Sequence, residues 1–179
     1  MSETAGTRTA EAVLMGWWRQ NLRPEEDTGR ARALRARLRR AKGALEVLAE
    51  HEVHDLAAAL PWLRHRPEAL VRVAQGLALV EGHSSESLAR RLGQGDPPAL
   101  SSLRFEKLVR CEAADLTRAL RRVLPMAGDV CNVARLGRDL IDWDHPERGD
   151  DLRKRWYFDY FGASLAGAAL AEEQEDDAA

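Results

Sequence analysis

Apolar residues recur through most of this chain at intervals of three and four, the spacing of one face of an α-helix. The clearest case is Leu103 to Leu124, LRFEKLVRCEAADLTRALRRVL. Its second half sets Leu116, Leu120, Val123 and Leu124 on one stripe, with Arg118, Arg121 and Arg122 on the opposite side. In its first half Phe105, Leu108 and Val109 share a face, while Arg104, Lys107 and Arg110 step around the other side. The span from Glu112 to Asp115 holds no more than a turn. The two helices are therefore expected to meet at an angle, with both positive faces bordering one groove.

The same periodicity predicts further helices. One begins near Thr9, carries Val13, Leu14, Trp17 and Trp18, and ends before Pro24. Its tryptophan pair is expected to place one indole in the core and the other near a boundary. Asp27 or Thr28 caps the next helix, which runs through GRARALRARLRRAKG. Leu34, Leu38, Ala41, Leu45 and Leu48 line one side of this region. Helices follow at about 44–50, at 53–65 with Pro61 bending or ending it, at 67–82 with Pro67 at its start, and in SESLARRLG. Val130–Asp142 and Gly149–Phe161 complete the set, the latter aligning Leu152, Trp156 and Tyr160. No alternating β pattern and no repeat of fixed period is visible. The prediction is an all-α chain, a compact bundle of about eight to ten helices in two small lobes. Residues 1–8 are expected to be disordered, 9–92 to form the N-terminal lobe, 93–102 (GQGDPPALSS) a loop, and 103–162 the C-terminal lobe. An acidic disordered tail is expected at 163–179.

Charge sharpens this picture. The net charge of −2 argues against a polyanion partner, but five of the 29 acids fall in EEQEDD at 172–177, beyond the last basic residue, Arg155. Without that tail the balance is 27 basic against 24 acidic residues, or +3. Between Arg30 and Lys42 lie seven basic residues and no acid. A solvated helix usually mixes signs to gain pairs one turn apart, so this helix points to a polyanion.

Catalytic signatures are absent. EHEVHD at 50–55 falls short of a zinc-protease helix, because His51 and His54 are three apart instead of four. A His-Asp phosphohydrolase reading of His54-Asp55 needs a further histidine upstream, and residues 1–50 hold none. Asp139, Asp142, Asp144, Asp150 and Asp151 are interleaved with Arg138, Arg148 and Arg153, so ion pairing is the simpler expectation than a two-metal centre. There is no phosphate-binding glycine loop and no nucleophile elbow. Cys111 and Cys131 form no C-x-x-C pair and are expected to be free, buried thiols. No signal peptide or spanning segment is seen, which predicts a cytoplasmic protein away from membranes. No catalytic residue, metal or cofactor is expected.

Taken in order, the pieces resemble a known family, the small subunit of the type I-E CRISPR Cascade complex, CasB. Trp17-Trp18, Gly29-Arg30-Ala31 and Leu38-Arg39-Arg40-Ala41 resemble its N-terminal half. Arg104-Phe105, Leu108-Val109-Arg110 and Leu120-Arg121-Arg122 resemble its middle, and Leu136, Asp139-Leu140, Trp143, Arg155-Trp156 and Asp159-Tyr160-Phe161 its close. The resemblance covers roughly residues 10–162. It implies a non-catalytic helical protein in an RNA-guided antiviral complex, present with a second copy of itself beside backbone and large subunits. There it holds guide RNA and target DNA and stabilises the R-loop, with sequence supplied by base pairing.

Carried onto this chain, the family's basic surface includes Arg39, Arg40, Arg104, Arg110, Arg121 and Arg122. Helical geometry adds Arg35, Lys107 and Arg118. Two other readings compete: a helical adaptor whose basic faces meet acidic protein partners, and a helix-turn-helix regulator. The regulator needs Asn, Gln or Ser among the arginines of a recognition helix, and no helix offers that mix.

Overall fold

A computed structural model of the chain describes residues 9–176, with side chains described as far as Ala163. Ten α-helices follow one another among these residues. They are α1 (Ala10–Trp17), α2 (Gly29–Arg40), α3 (Ala44–Leu48), α4 (His51–Ala59), α5 (Pro67–Leu79), α6 (Leu88–Gly93), α7 (Ser102–Val109), α8 (Ala113–Val123), α9 (Val133–Asp142) and α10 (Arg148–Asp176). The bundle is all-α, as the periodicity predicts.

Local chemistry sets the helix ends. The Thr28 hydroxyl accepts from the Ala31 amide at 3.2 Å and caps α2, while Asp27 turns to other work. Pro61 ends α4 and opens a short 3-10 turn, Pro61–His65, and Pro67 stands at the start of α5. Leu124–Ala127 forms a second 3-10 turn, closed by Gly128 in the left-handed conformation. One feature has no counterpart in the sequence pattern: Gly82 pairs with Val130 and His83 with Cys131 in a parallel bridge between two loops. Two residues per strand are too few to show a period.

The hydrophobic core is one cluster running from Leu14 to Tyr160. Its main seams join α10 to α6, α5 to α9 and α1 to α9. Segments before and after residues 93–102 thus interleave around a shared core. Gly93 matters to the α6–α10 seam, since a Cβ there would lie 2.1 Å from the Tyr160 carbonyl oxygen. Phe105 stacks on Tyr160 with ring centroids 4.0 Å apart, and Trp143 meets Trp156 edge-on at 5.2 Å.

Two expectations need correction. Trp17 and Trp18 are both buried, because α1 packs against α9 on one side and α4 on another. A π-helical turn at Trp18–Leu22 continues α1, and Trp18 and Leu22 are both buried in it. The Trp17 indole donates to the Glu52 carbonyl at 2.6 Å, whereas the Trp18 indole N–H has no partner among the described residues. α10 runs as helix to Asp176, and residues 177–179 of the expected tail lie outside the described residues. The expected N-terminal disorder at 1–8 lies outside the described residues. Finally, Cys131 is buried but Cys111 only half-buried. Burial pushes their thiols up, to about 12 and about 11 respectively.

Candidate nucleic-acid interface

α7 and α8 turn their apolar stripes inward. Phe105, Leu108, Val109, Leu116, Leu120, Val123 and Leu124 are all buried, which leaves the basic residues between them outside. The two helices enclose a groove of about 500 Å³. Arg104 and Lys107 line it from α7, and Arg118 and Arg122 from α8. Arg118 is held by Asp115 at 2.6 Å, one turn away, and Asp115 also lines the groove. Arg104, Lys107 and Arg122 are exposed and have no acidic partner among the described residues.

The other candidates divide by what they touch. Arg110 is exposed but pairs with Glu106 at 3.0 Å and does not line the groove. Arg121 is exposed, has no acidic partner among the described residues, and borders an adjoining hollow with Arg39, Glu81 and Asp129. That hollow brings the end of α2 beside α8, a juxtaposition no local pattern reveals. Arg39 itself donates to the Ala78 carbonyl and to Glu81, both at 2.6 Å, which ties it to α5 and the loop after it. Arg40 is exposed and likewise has no acidic partner among the described residues.

Arg35 must be set apart from this surface. It is 7% exposed, donates to the Leu22 carbonyl and makes a two-pronged pair with Asp27. Helical spacing puts it near the core-facing edge of α2, where the preceding loop closes over it. It cannot reach a phosphate without leaving the core.

The acid-free run at 30–42 is also less bare than its sequence. Arg30 pairs with Glu52, Arg32 and Arg35 with Asp27, Arg37 with Glu50 and Arg39 with Glu81. The compensating acids come from other elements instead of the helix itself. Burial opposes the charge of Glu52 and Glu81, yet both carboxyls are held below the usual range, Glu52 by a backbone hydrogen bond and Arg30, Glu81 by Arg39 and Arg23. Of the seven basic residues only Arg40 and Lys42 lack an ion pair among the described residues.

Three of the acidic residues that suggest catalysis, Asp139, Asp142 and Asp144, are committed to structure, whereas Asp150 and Asp151 are exposed and only Asp151 has a partner among the described residues, Lys154 at 3.0 Å. Asp142 accepts from Arg138 at 2.9 Å and Arg148 at 2.8 Å, and Asp144 meets Arg66 at 3.0 Å and Arg72 at 2.7 Å. Asp139 is 3% exposed and accepts from Arg155 and from the Trp156 indole. In EHEVHD, His54 bonds the Leu48 carbonyl at 2.7 Å and Glu52 anchors Arg30. No group of three or more metal-ligating side chains is assembled among the described residues, and none of their helices is long and apolar enough to cross a membrane.

Sequence reasoning missed the floor of the groove. Leu100, Ala119 and Met126 line it with Leu108 and Val123. Leu100 lies in the 93–102 loop and Met126 in the turn after α8, both outside the helical faces that periodicity resolves.

Over residues 34–161 the sequence matches the family described as CRISPR-associated protein Cse2. No curated protein matches the chain. Among solved structures, the chain is similar to a CRISPR-associated protein of the Cse2 family from Thermus thermophilus, at 24% identity and a TM-score of 0.65, covering 86% of this chain and 98% of that one. It is similar to a structure of CasB from Thermus thermophilus at 24% identity and a TM-score of 0.64, with the same coverage. M. ruber CasB aligns at 20% identity and a TM-score of 0.65, covering 90% of this chain and 98% of that one. At these identities the structural likeness shows a shared fold.

Proposed function

Because the chain belongs to the CRISPR-associated Cse2 family, the CasB small subunits of type I-E Cascade, we propose that it binds nucleic-acid backbone without reading sequence and stabilises the guide RNA–target DNA R-loop. It does so as a non-catalytic subunit, beside the backbone and large subunits and a second copy of itself. The observation that carries this reading is the set Arg104, Lys107 and Arg122. These three cations stand on two rigid helices around one groove, exposed and unpaired among the described residues, in a chain that pairs most of its arginines internally. An unpaired surface cation costs little in water and can meet a phosphate without first breaking an internal pair. Arg121 and Arg40 extend the same chemistry beyond the groove.

Association should therefore be sequence-indifferent and salt-dependent. Anisotropy of labelled single strands of unrelated sequence, with the isolated protein at several salt concentrations, tests this. Comparable affinities that fall with salt are expected, and Arg121→Ala with Arg122→Ala should weaken all of them about equally. Affinity that varies strongly with sequence, or is indifferent to salt, would count against the proposal.

A further inference from the structure

The groove between α7 and α8 offers more than charge. Its cations surround an apolar floor made by Leu100, Leu108, Ala119, Val123 and Met126. Leu108 and Val123 belong to the core, and Leu100 is fixed on both sides: its amide donates to Leu92 and its carbonyl accepts from the Tyr160 hydroxyl at 2.5 Å. Met126 differs from the rest, lining the groove while 41% exposed. Backbone phosphates alone have no use for such a floor. Paired and stacked bases present mainly polar edges, so a duplex would leave it uncovered. An unpaired nucleotide carries both halves of the match, an anionic phosphate and an apolar aromatic face. The volume of about 500 Å³ falls in the range of small-ligand sites, roughly 300–1,000 Å³.

Resting on the backbone-binding reading above, the geometry points to a nucleobase site. One unpaired base of a single strand lies against Leu100, Val123 and Met126, while its flanking phosphates meet Arg104, Lys107 and Arg122. The Met126 thioether is polarisable and flexible, and contacts of its sulfur with aromatic rings are favourable. Asp115 is neutralised by Arg118, so it leaves the three free cations to set the sign of the site.

Three probes decide it: an oligo-dT strand, an abasic strand of equal length, and a duplex, each titrated by anisotropy at several salt concentrations. Wild type should bind oligo-dT about fivefold more tightly than the abasic strand. Met126→Ala should abolish that preference while keeping the salt slope, and because Met126 is exposed its removal leaves the core intact. Equal wild-type affinity for dT and abasic strands would overturn the nucleobase site and leave backbone binding standing. So would tighter binding to the duplex, whereas displacement of dT by poly-glutamate at equal affinity would mark a general anion groove and count against both readings. Failure to bind any strand would remove both readings together.

Discussion

Arg35 and Asp27 face each other two-pronged, Nη1 to Oδ1 at 2.8 Å and Nη2 to Oδ2 at 3.1 Å, with Nη1 also donating to the Leu22 carbonyl. The guanidinium ties the loop before α2 to α2 itself and is almost wholly out of water. Removing it leaves a carbonyl without its donor and a gap in the packing.

Arg35→Ala is therefore expected to lower stability by about 2 kcal/mol, which shifts a urea midpoint measurably. Nucleic-acid affinity of the folded fraction should not change. A fully stable variant with weakened binding would return Arg35 to the contact surface.

The contrast between α2 and α8 shows where the sequence is legible. In α8 the stripe Leu116, Leu120, Val123 and Leu124 is buried and Arg121 and Arg122 are outside, because one helix with one apolar face leaves a single way to pack. In α2 the helix itself was equally readable, but the use of its arginines was not. Their partners Glu50, Glu52 and Glu81 lie outside the helix and reach it only through tertiary packing. Period-based reasoning sees neighbours one turn away and no others. For the same reason it found the groove's rim on α7 and α8 and not its floor residues Leu100 and Met126.

Asp139 gives the fold a pH signature. Burial pushes its carboxyl up to about 6, although Arg155 and the Trp156 indole both favour the charged form. The folded value lies above that of an unfolded aspartate, about 3.9. The stability Asp139 contributes is thus complete below about pH 4 and is lost as pH rises through about 6. Glu52, Glu81 and Asp142 have the opposite sign: their carboxyls are held low, and their contribution disappears as pH falls through those lowered values. Asp139→Asn removes the first effect alone. Its stability should climb more steeply than wild type between about pH 4.5 and 6.5, by up to about 2 kcal/mol in urea unfolding. Parallel profiles would contradict this account of Asp139.

Chemistry provides a separate check. Asp142 is saturated by Arg138 and Arg148, and His54 by the Leu48 carbonyl. The purified chain is expected to leave DNA and RNA intact with magnesium, manganese or zinc. Cleavage that persists through repurification and vanishes in Asp142→Ala or His54→Ala would show that these contacts conceal a working centre.

The most direct test of the central claim is the salt dependence of single-strand binding by wild type and by a variant with Arg104, Lys107 and Arg122 all changed to Ala. Each cation that meets a phosphate contributes roughly 0.7 to the slope of log K against log salt, so the triple variant should flatten that slope by about 2. Its urea midpoint should stay close to wild type, because all three positions are exposed on or beside helix faces that tolerate alanine. A folded variant that keeps the wild-type slope would place the contact surface elsewhere and contradict the role assigned to this groove.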